Sequence, residues 1–116
     1  MDWSLIIIIK AGEILMTSKQ RAYLKSLAMT QEPILQIGKS SLTPEFTASV
    51  DEALEARELI KISVLKNCMD DPRALADVLA DRTKSQVVQV IGKKIILYRE
   101  GKGNRKKIEL PQVKKG

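Results

Sequence analysis

Polar and apolar positions along the chain predict three helices, over residues 18–28, 43–56 and 71–83. In each segment apolar residues recur every three to four positions, so one side of the helix is suited to burial. The second helix is the clearest, because Thr43 is a favoured N-cap and Pro44 takes the first helical position, where its missing N–H costs nothing. The residues expected to cap the three helices are Ser18, Thr43 and Asp71. The apolar stripes expected to be buried are Leu24 and Leu27, then Phe46, Val50, Ala53 and Leu54, then Leu75, Val78 and Leu79.

Four shorter apolar segments predict β-strands, at residues 34–37, 59–65, 86–91 and 94–98. The second of them alternates between apolar and polar side chains, which is typical of a half-buried strand. A tight turn at Gly92–Lys93 joins the last two strands into a hairpin. The order α-β-α-β-α-β-β predicts an α/β fold of the two-layer α+β type, in which a four-stranded mixed sheet packs with helices.

The two ends of the chain do not fit this pattern. Residues 1–15 contain an apolar run, Leu5–Ile9, that is too short to span a bilayer and lacks the flanks of a signal peptide. Met16 begins a sensible N-terminus of its own, so we expect residues 1–15 to be a non-native or leader-derived extension; the alternative is an authentic extra strand or arm. Residues 100–116 are polar and basic, which predicts a flexible tail behind a single domain at residues 16–99.

The composition excludes several classes of enzyme. The chain has no histidine and one cysteine, Cys68, which removes Ser-His-Asp and Cys-His catalysis and the usual zinc sites. A lone thiol forms no internal disulfide, and this favours a reducing cytosol. Solvation explains the acids on the polar side of the second helix better than acid–base or metal chemistry does; they are Asp51, Glu52 and Glu55. We therefore expect a protein that is not an enzyme and uses neither a metal nor another cofactor.

The charge of the chain is uneven, and this bears on its partners. The net charge is +6, yet residues 42–83 hold nine acids and five bases. The excess of lysine and arginine therefore lies towards both ends. A protein with one face that binds a polyanion would show this asymmetry. A soluble surface with a basic tail explains it equally well.

A short polar segment, Gly38-Lys39-Ser40-Ser41, separates the first strand from the second helix. Glycine permits close approach of a ligand or a positive φ, lysine supplies a cation, and the helix N-terminus attracts anions. Together these features suit a phosphate group. The alternative is a tight turn without a ligand.

Two longer segments carry a resemblance to a known family. The sequences "PILQIGKSSLTPEFTASVDEALEARELIKISVL" and "VVQVIGKKIILYR", with "SKQRAYLKSLA" before them, resemble the YhbY family of small bacterial proteins, single-domain members of the chloroplast RNA splicing and ribosome maturation (CRM) fold. The resemblance covers roughly residues 16–98. It implies a compact domain similar to the C-terminal domain of translation initiation factor three. It also implies a protein that binds RNA and associates with precursors of the large ribosomal subunit.

The resemblance also implies which residues contact RNA. The family's G-x-x-G loop falls on residues 38–41 of this chain, and its second glycine is replaced by Ser41. A serine there costs of order 1 kcal/mol if the position needs a positive φ, although its hydroxyl can donate to a phosphate. The candidate RNA-binding residues are Gly38, Lys39, Ser40, Ser41, Lys19, Arg21, Lys25, Lys93 and Lys94. For the lysines and arginines the alternative is a solvated surface.

These observations predict a non-catalytic, monomeric RNA-binding protein that acts on large-subunit ribosomal RNA or its precursor, and on ribosomal particles, without contact to a membrane. A basic arm with Arg105, Lys106 and Lys107 would add non-specific affinity. Tyr23 and Tyr98 are expected to pack at the edge of the core rather than stack on bases. The alternative function is a protein–protein adaptor in ribosome assembly or translation that does not contact RNA directly.

Overall fold

The computed structural model describes residues 16–101 and 108. The predictions for residues 1–15, for the basic side chains at 105–107 and for most of the tail lie outside the described residues. The elements in chain order are α1 (Ser18–Ala28), β1 (Leu35–Ile37), α2 (Pro44–Arg57), β2 (Leu59–Val64), α3 (Pro72–Thr83), β3 (Gln86–Ile91) and β4 (Lys94–Tyr98). All seven predicted elements are therefore confirmed, in the predicted order.

The four strands form one mixed sheet in the order β1-β2-β4-β3. β1 runs parallel to β2, with Leu35 opposite Ile62, whereas β4 is antiparallel to both of its neighbours. A bulge interrupts β3 between Val87 and Gln89. The predicted fold class, α+β with a four-stranded mixed sheet packed with helices, is confirmed. The similarity to initiation factor three stays a prediction.

Helices cover both faces of the sheet, so the structure has three layers where two were expected. On one face α2 and α3 bury the larger core cluster, which includes Val50, Leu54 and Leu79. On the other face α1 buries Leu24 and Ala28 in a separate, smaller cluster. Strand side chains alternate between the two clusters, because successive residues of a strand point to opposite faces.

Capping side chains fix where the helices begin. Thr43 and Asp71 cap α2 and α3 as predicted, accepting hydrogen bonds from the N–H groups of the third helical residues. The prediction for α1 was wrong by one residue, since Thr17 is the cap and Ser18 is the first helical residue. Thr17 and Gln20 form a reciprocal capping box, which satisfies two N–H groups at once.

The predicted apolar stripes are confirmed with one exception. In α3, Leu75 and Leu79 are buried, but Val78 is 38% exposed and Ala76 takes a buried place instead. α3 also contacts α2, and its buried residues are Leu75, Ala76, Leu79 and Thr83. Sequence periodicity identifies an apolar stripe, but it does not show which neighbour covers each edge of it.

Arg99, just after β4, ties the last strand to both helices of the larger layer. Its guanidinium donates to Oδ1 of Asp51 at 2.6 Å, to Oε2 of Glu55 at 3.3 Å and to the Thr83 carbonyl at 2.8 Å. The two carboxylates lie on the exposed side of α2, as expected, and the sequence did not show that they have a cationic partner. They remain half-exposed but pair with Arg99.

Glu58 is a fully buried acid between α2 and β2, with a φ of 65°. Its Oε2 accepts the Gly101 N–H at 2.6 Å, and its Oε1 accepts the Ile108 N–H at 2.7 Å. Ile108 also packs against the smaller core cluster. One carboxylate therefore holds two points of the chain beyond β4. Tyr98 is buried in the same cluster, as expected for packing, whereas Tyr23 is 38% exposed.

Candidate nucleic-acid interface

Three connections meet at one end of the sheet. β1 and β2 run parallel and both end there, and the hairpin turn between β3 and β4 lies beside them. The Leu65 N–H donates to the Ile37 carbonyl at 2.9 Å, and the Val64 N–H donates to the Lys93 carbonyl at 2.7 Å. We call the residues that follow these strands, 38–41, 65–70 and 92–93, the loop end of the sheet.

The 38–41 segment folds into a tight turn. The Ser41 N–H donates to the Gly38 carbonyl at 2.9 Å, and this bond leaves Lys39 and Ser40 exposed at the tip. Within the described part of the chain, the N–H groups of these two residues make no hydrogen bond. Two N–H groups that have no partner among the described residues, next to a lysine, are donors of the kind that can bind anionic oxygens.

Gly38 does not have the positive φ that a glycine permits. A Cβ built on it would lie 3.7 Å from Oδ1 of Asn67 and 3.9 Å from Cδ1 of Leu65, which is ordinary contact. The fold itself therefore tolerates a side chain at this position. Of the two reasons for a glycine here, only close approach of a ligand fits the geometry.

Ser41 has the left-handed conformation instead, with a φ of 55°. The resemblance predicts a glycine at this position, and a serine with a positive φ carries the strain expected of it. Its hydroxyl donates to Oδ2 of Asp70, a residue of the loop after β2. The hydroxyl was expected as a phosphate donor, but in this structure it joins two loops and offsets part of the strain.

The N-terminus of α2 offers fewer donors than expected. Pro44 has no N–H, and the Phe46 N–H is taken by the Thr43 hydroxyl at 3.0 Å. The N–H that remains in the first turn belongs to Glu45, whose own carboxylate opposes an anion. The turn N–H groups and the lysine are therefore better suited to a phosphate than the helix end.

The loop end brings together several lysines. Lys39 and Lys93 are exposed, and Lys94 is held in place because its Nζ donates to the Ser63 hydroxyl at 2.9 Å. Two further cations were missed by sequence reasoning. They are Lys66, which directly follows the end of β2, and Lys61 within β2. The signal available in the sequence was that Lys66 follows the predicted strand and Lys61 lies within it. The sequence did not show that this strand pairs with β1.

The basic residues of α1 do not join this group. α1 packs over Leu59 and Tyr98, at the opposite end of the sheet. Arg21 donates from Nη1 to the Val87 and Val88 carbonyls at 2.6 and 2.9 Å, so it braces the bulge of β3. Lys19 is exposed and Lys25 half-buried on the same helix.

Two kinds of feature are absent from the described residues. Among the described residues, no group of three or more acidic or cysteine side chains could hold a metal ion. No helix in that part of the chain is long and apolar enough to cross a membrane.

Comparisons with known proteins agree with one another. Residues 16–99 match the model of the CRS1 / YhbY (CRM) domain. The chain is 47% identical over 97 residues to the probable RNA-binding protein YqeI of Bacillus subtilis, covering 84% of this chain and 100% of that one. It is 32% identical over 97 residues to a Haemophilus influenzae protein named RNA-binding protein, covering 84% of this chain and 96% of that one.

A solved structure shows the same fold. The solution structure of the hypothetical protein SAV1595 from Staphylococcus aureus superposes with a TM-score of 0.70 at 49% sequence identity. The match covers 84% of this chain and 100% of that chain.

Proposed function

The chain belongs to the CRS1 / YhbY (CRM) domain family, and from that premise we propose that it is a non-catalytic RNA-binding protein. The names of its relatives support RNA as the ligand. We further propose large-subunit ribosomal RNA or its precursor as the target and a monomer as the working form, as the family resemblance implies.

The mechanism we propose is recognition of the RNA backbone at the loop end of the sheet. The free N–H groups of Lys39 and Ser40 donate to phosphate oxygens, and the Lys39 ammonium neutralises the charge. Lys66, Lys93 and Lys94 neutralise neighbouring phosphates along the same end. The observation that carries this proposal is a turn with two N–H groups that have no partner among the described residues, next to an exposed lysine.

Base stacking has little support as an alternative. Among the described aromatic side chains, Tyr98 is buried, Phe46 packs against the larger core cluster, and Tyr23 lies on α1, away from the loop end. RNA-binding domains that stack bases on aromatic side chains need such rings on the binding surface. Affinity should therefore depend strongly on salt and weakly on sequence at the loop end.

The test compares Lys39→Glu with Lys84→Glu, a matched charge reversal at the end of α3, next to the start of β3 and away from the loop end. Lys39→Glu should weaken binding of single-stranded ribosomal RNA fragments roughly 10–100-fold, as expected for a lost hydrogen-bonded charge. Lys39→Ala should lower the log–log salt slope by about 0.7, the value for one phosphate of a single strand. Fluorescence anisotropy over a salt series measures both quantities.

Equal binding by Lys39→Glu and Lys84→Glu would refute the role of the turn. Crosslinking in cells followed by sequencing of the attached RNA tests the target, and large-subunit ribosomal RNA or its precursor should dominate. Capture of protein partners that survives ribonuclease treatment, without crosslinked RNA, would instead support the adaptor alternative.

A further inference from the structure

The face of the sheet that carries α1 is covered over only part of its length. α1 packs in the smaller core cluster with Leu59, Val88, Ile96 and Tyr98. It therefore covers this face from the end opposite the loop end as far as Ile96, two residues from Lys94. Among the described residues, no helix packs over the remainder of this face, next to the loop end. An open part of a sheet beside the proposed phosphate site can give the same ligand a second contact surface.

Strand register sets which residues form that open surface. Gln36 lies opposite Ser63, Ser63 lies opposite Lys94, and Lys94 lies opposite Ile91. The residue next to each of them on its strand belongs to the larger core cluster or packs against it, so these four side chains point to the α1 face. We call this line across all four strands the Gln36–Ile91 row.

The row is polar and basic, and it also offers an apolar contact. Gln36 and Lys94 are exposed, Ile91 is 55% exposed, and Ser63 is buried beneath the Lys94 ammonium that it binds. Lys61, two residues before Ser63, adds a half-buried cation on the same face. None of the four strands contains an aspartate or glutamate.

The row is continuous with the proposed phosphate site. Gln36 is two residues before Gly38, and Lys94 and Ile91 flank the hairpin turn at the loop end. Three inter-strand gaps of about 4.8 Å make the row about 14 Å long. A narrow strip of this kind suits one extended RNA strand rather than an RNA duplex, because the base edges of an RNA duplex are less accessible to side chains.

We propose that the Gln36–Ile91 row is the path of a single-stranded RNA segment that continues from the turn at 38–41 across the sheet. This inference rests on the proposed function. Lys94 and Lys61 neutralise its phosphates, the Gln36 amide hydrogen-bonds a base edge or a 2′-hydroxyl, and Ile91 packs against a ribose or base. The charges favour a polyanion such as RNA over a basic or neutral protein segment, because the four strands contribute lysines and no acids. An acidic protein segment is the alternative that the second test below distinguishes.

The first test uses Gln36→Glu, which adds a charge to the row with little change of shape. Gln31→Glu is the matched control, because Gln31 lies before β1 and outside the row. Gln36→Glu should weaken binding of long single-stranded RNA at least threefold, while leaving the shortest oligomer that still binds the turn unaffected. The control should bind both RNAs as the original chain does. Thermal unfolding checks that both variants fold.

The second test places a photo-crosslinking residue on the surface. Ile91→benzoylphenylalanine should crosslink to RNA, whereas Val78→benzoylphenylalanine, on the opposite face of the sheet, should not. The proposal is overturned if Gln36→Glu equals its control, if position 91 fails to crosslink RNA, or if it crosslinks a protein. Any of these three results with Lys39→Glu still impaired refutes the row alone. If Lys39→Glu is unimpaired too, the proposed role of the turn at 38–41 is refuted as well.

Discussion

Replacing Arg21 by alanine should destabilise the fold before it affects any contact with RNA. Arg21 was a candidate RNA-binding residue, but in the structure its Nη1 donates to the carbonyls of Val87 and Val88. These carbonyls lie where β3 bulges, so the sheet ladder is locally disrupted there. The guanidinium thus joins α1 to the edge strand.

The size of the effect follows from this geometry. A hydrogen bond to a charged group contributes about 1.5–3 kcal/mol when it is well protected. Arg21 is half-buried, and water can reach the freed carbonyls, so we expect the two bonds together to contribute about 2 kcal/mol. A domain of this size loses roughly 4–8 °C in Tm per kcal/mol, which gives a fall of about 8–16 °C.

Urea and thermal unfolding followed by circular dichroism measure this loss directly. Lys19→Ala is the control, since Lys19 is exposed on the same helix, and it should shift stability by less than about 0.5 kcal/mol. Arg21→Lys should recover part of the loss, because an ammonium can reach one carbonyl. The reasoning is refuted if Arg21→Ala unfolds like the control yet binds RNA less tightly, since Arg21 would then act as an RNA ligand.

Three further predictions concern stability. The Tyr98 hydroxyl is buried without a hydrogen-bond partner among the described residues, so Tyr98→Phe should stabilise the fold by roughly 1 kcal/mol in urea titrations. Burial, with smaller contributions from nearby acids, raises the pKa of Tyr98 from 10.0 to about 12. The folded state therefore holds the phenolic proton more tightly than the unfolded state does. The resulting contribution to the free energy of unfolding is complete below pH 10 and is lost as the pH rises towards 12. Tyr98→Phe should abolish this pH dependence. Ser41→Gly removes the left-handed strain together with the bond to Asp70 and should be nearly neutral, whereas Ser41→Ala keeps the strain and should be about 1 kcal/mol less stable than Ser41→Gly. Arg99→Ala should lower the free energy of unfolding by about 1–2 kcal/mol. This loss should change little in high salt, because salt screens the exposed ion pairs of Arg99 but not its hydrogen bond to the Thr83 carbonyl.

The sequence alone determined the elements and their order. Thr43 and Pro44 mark the start of α2 because capping acts within three residues, and the Leu75 and Leu79 stripe follows from the period of one helix. The turn at 38–41 was also located correctly, since a glycine and polar residues separate an apolar strand from a helix start. Each of these features depends on neighbours close in the chain.

The tertiary structure alone decided the contacts between distant segments. The order of the strands places Lys66 and Lys93 at the same end of the sheet as Lys39. α1 packs on the face of the sheet opposite α2 and α3 and forms the third layer. Arg21 meets its carbonyl partners 66 and 67 residues away, and Ser41 meets Asp70 at a separation of 29 residues. The periodicity of the sequence does not predict such pairings, because they depend on how whole strands and helices pack. For this reason the sequence showed which residues carry charge, and the fold showed which of them lie at one end of the sheet and which, like Arg21, brace the protein.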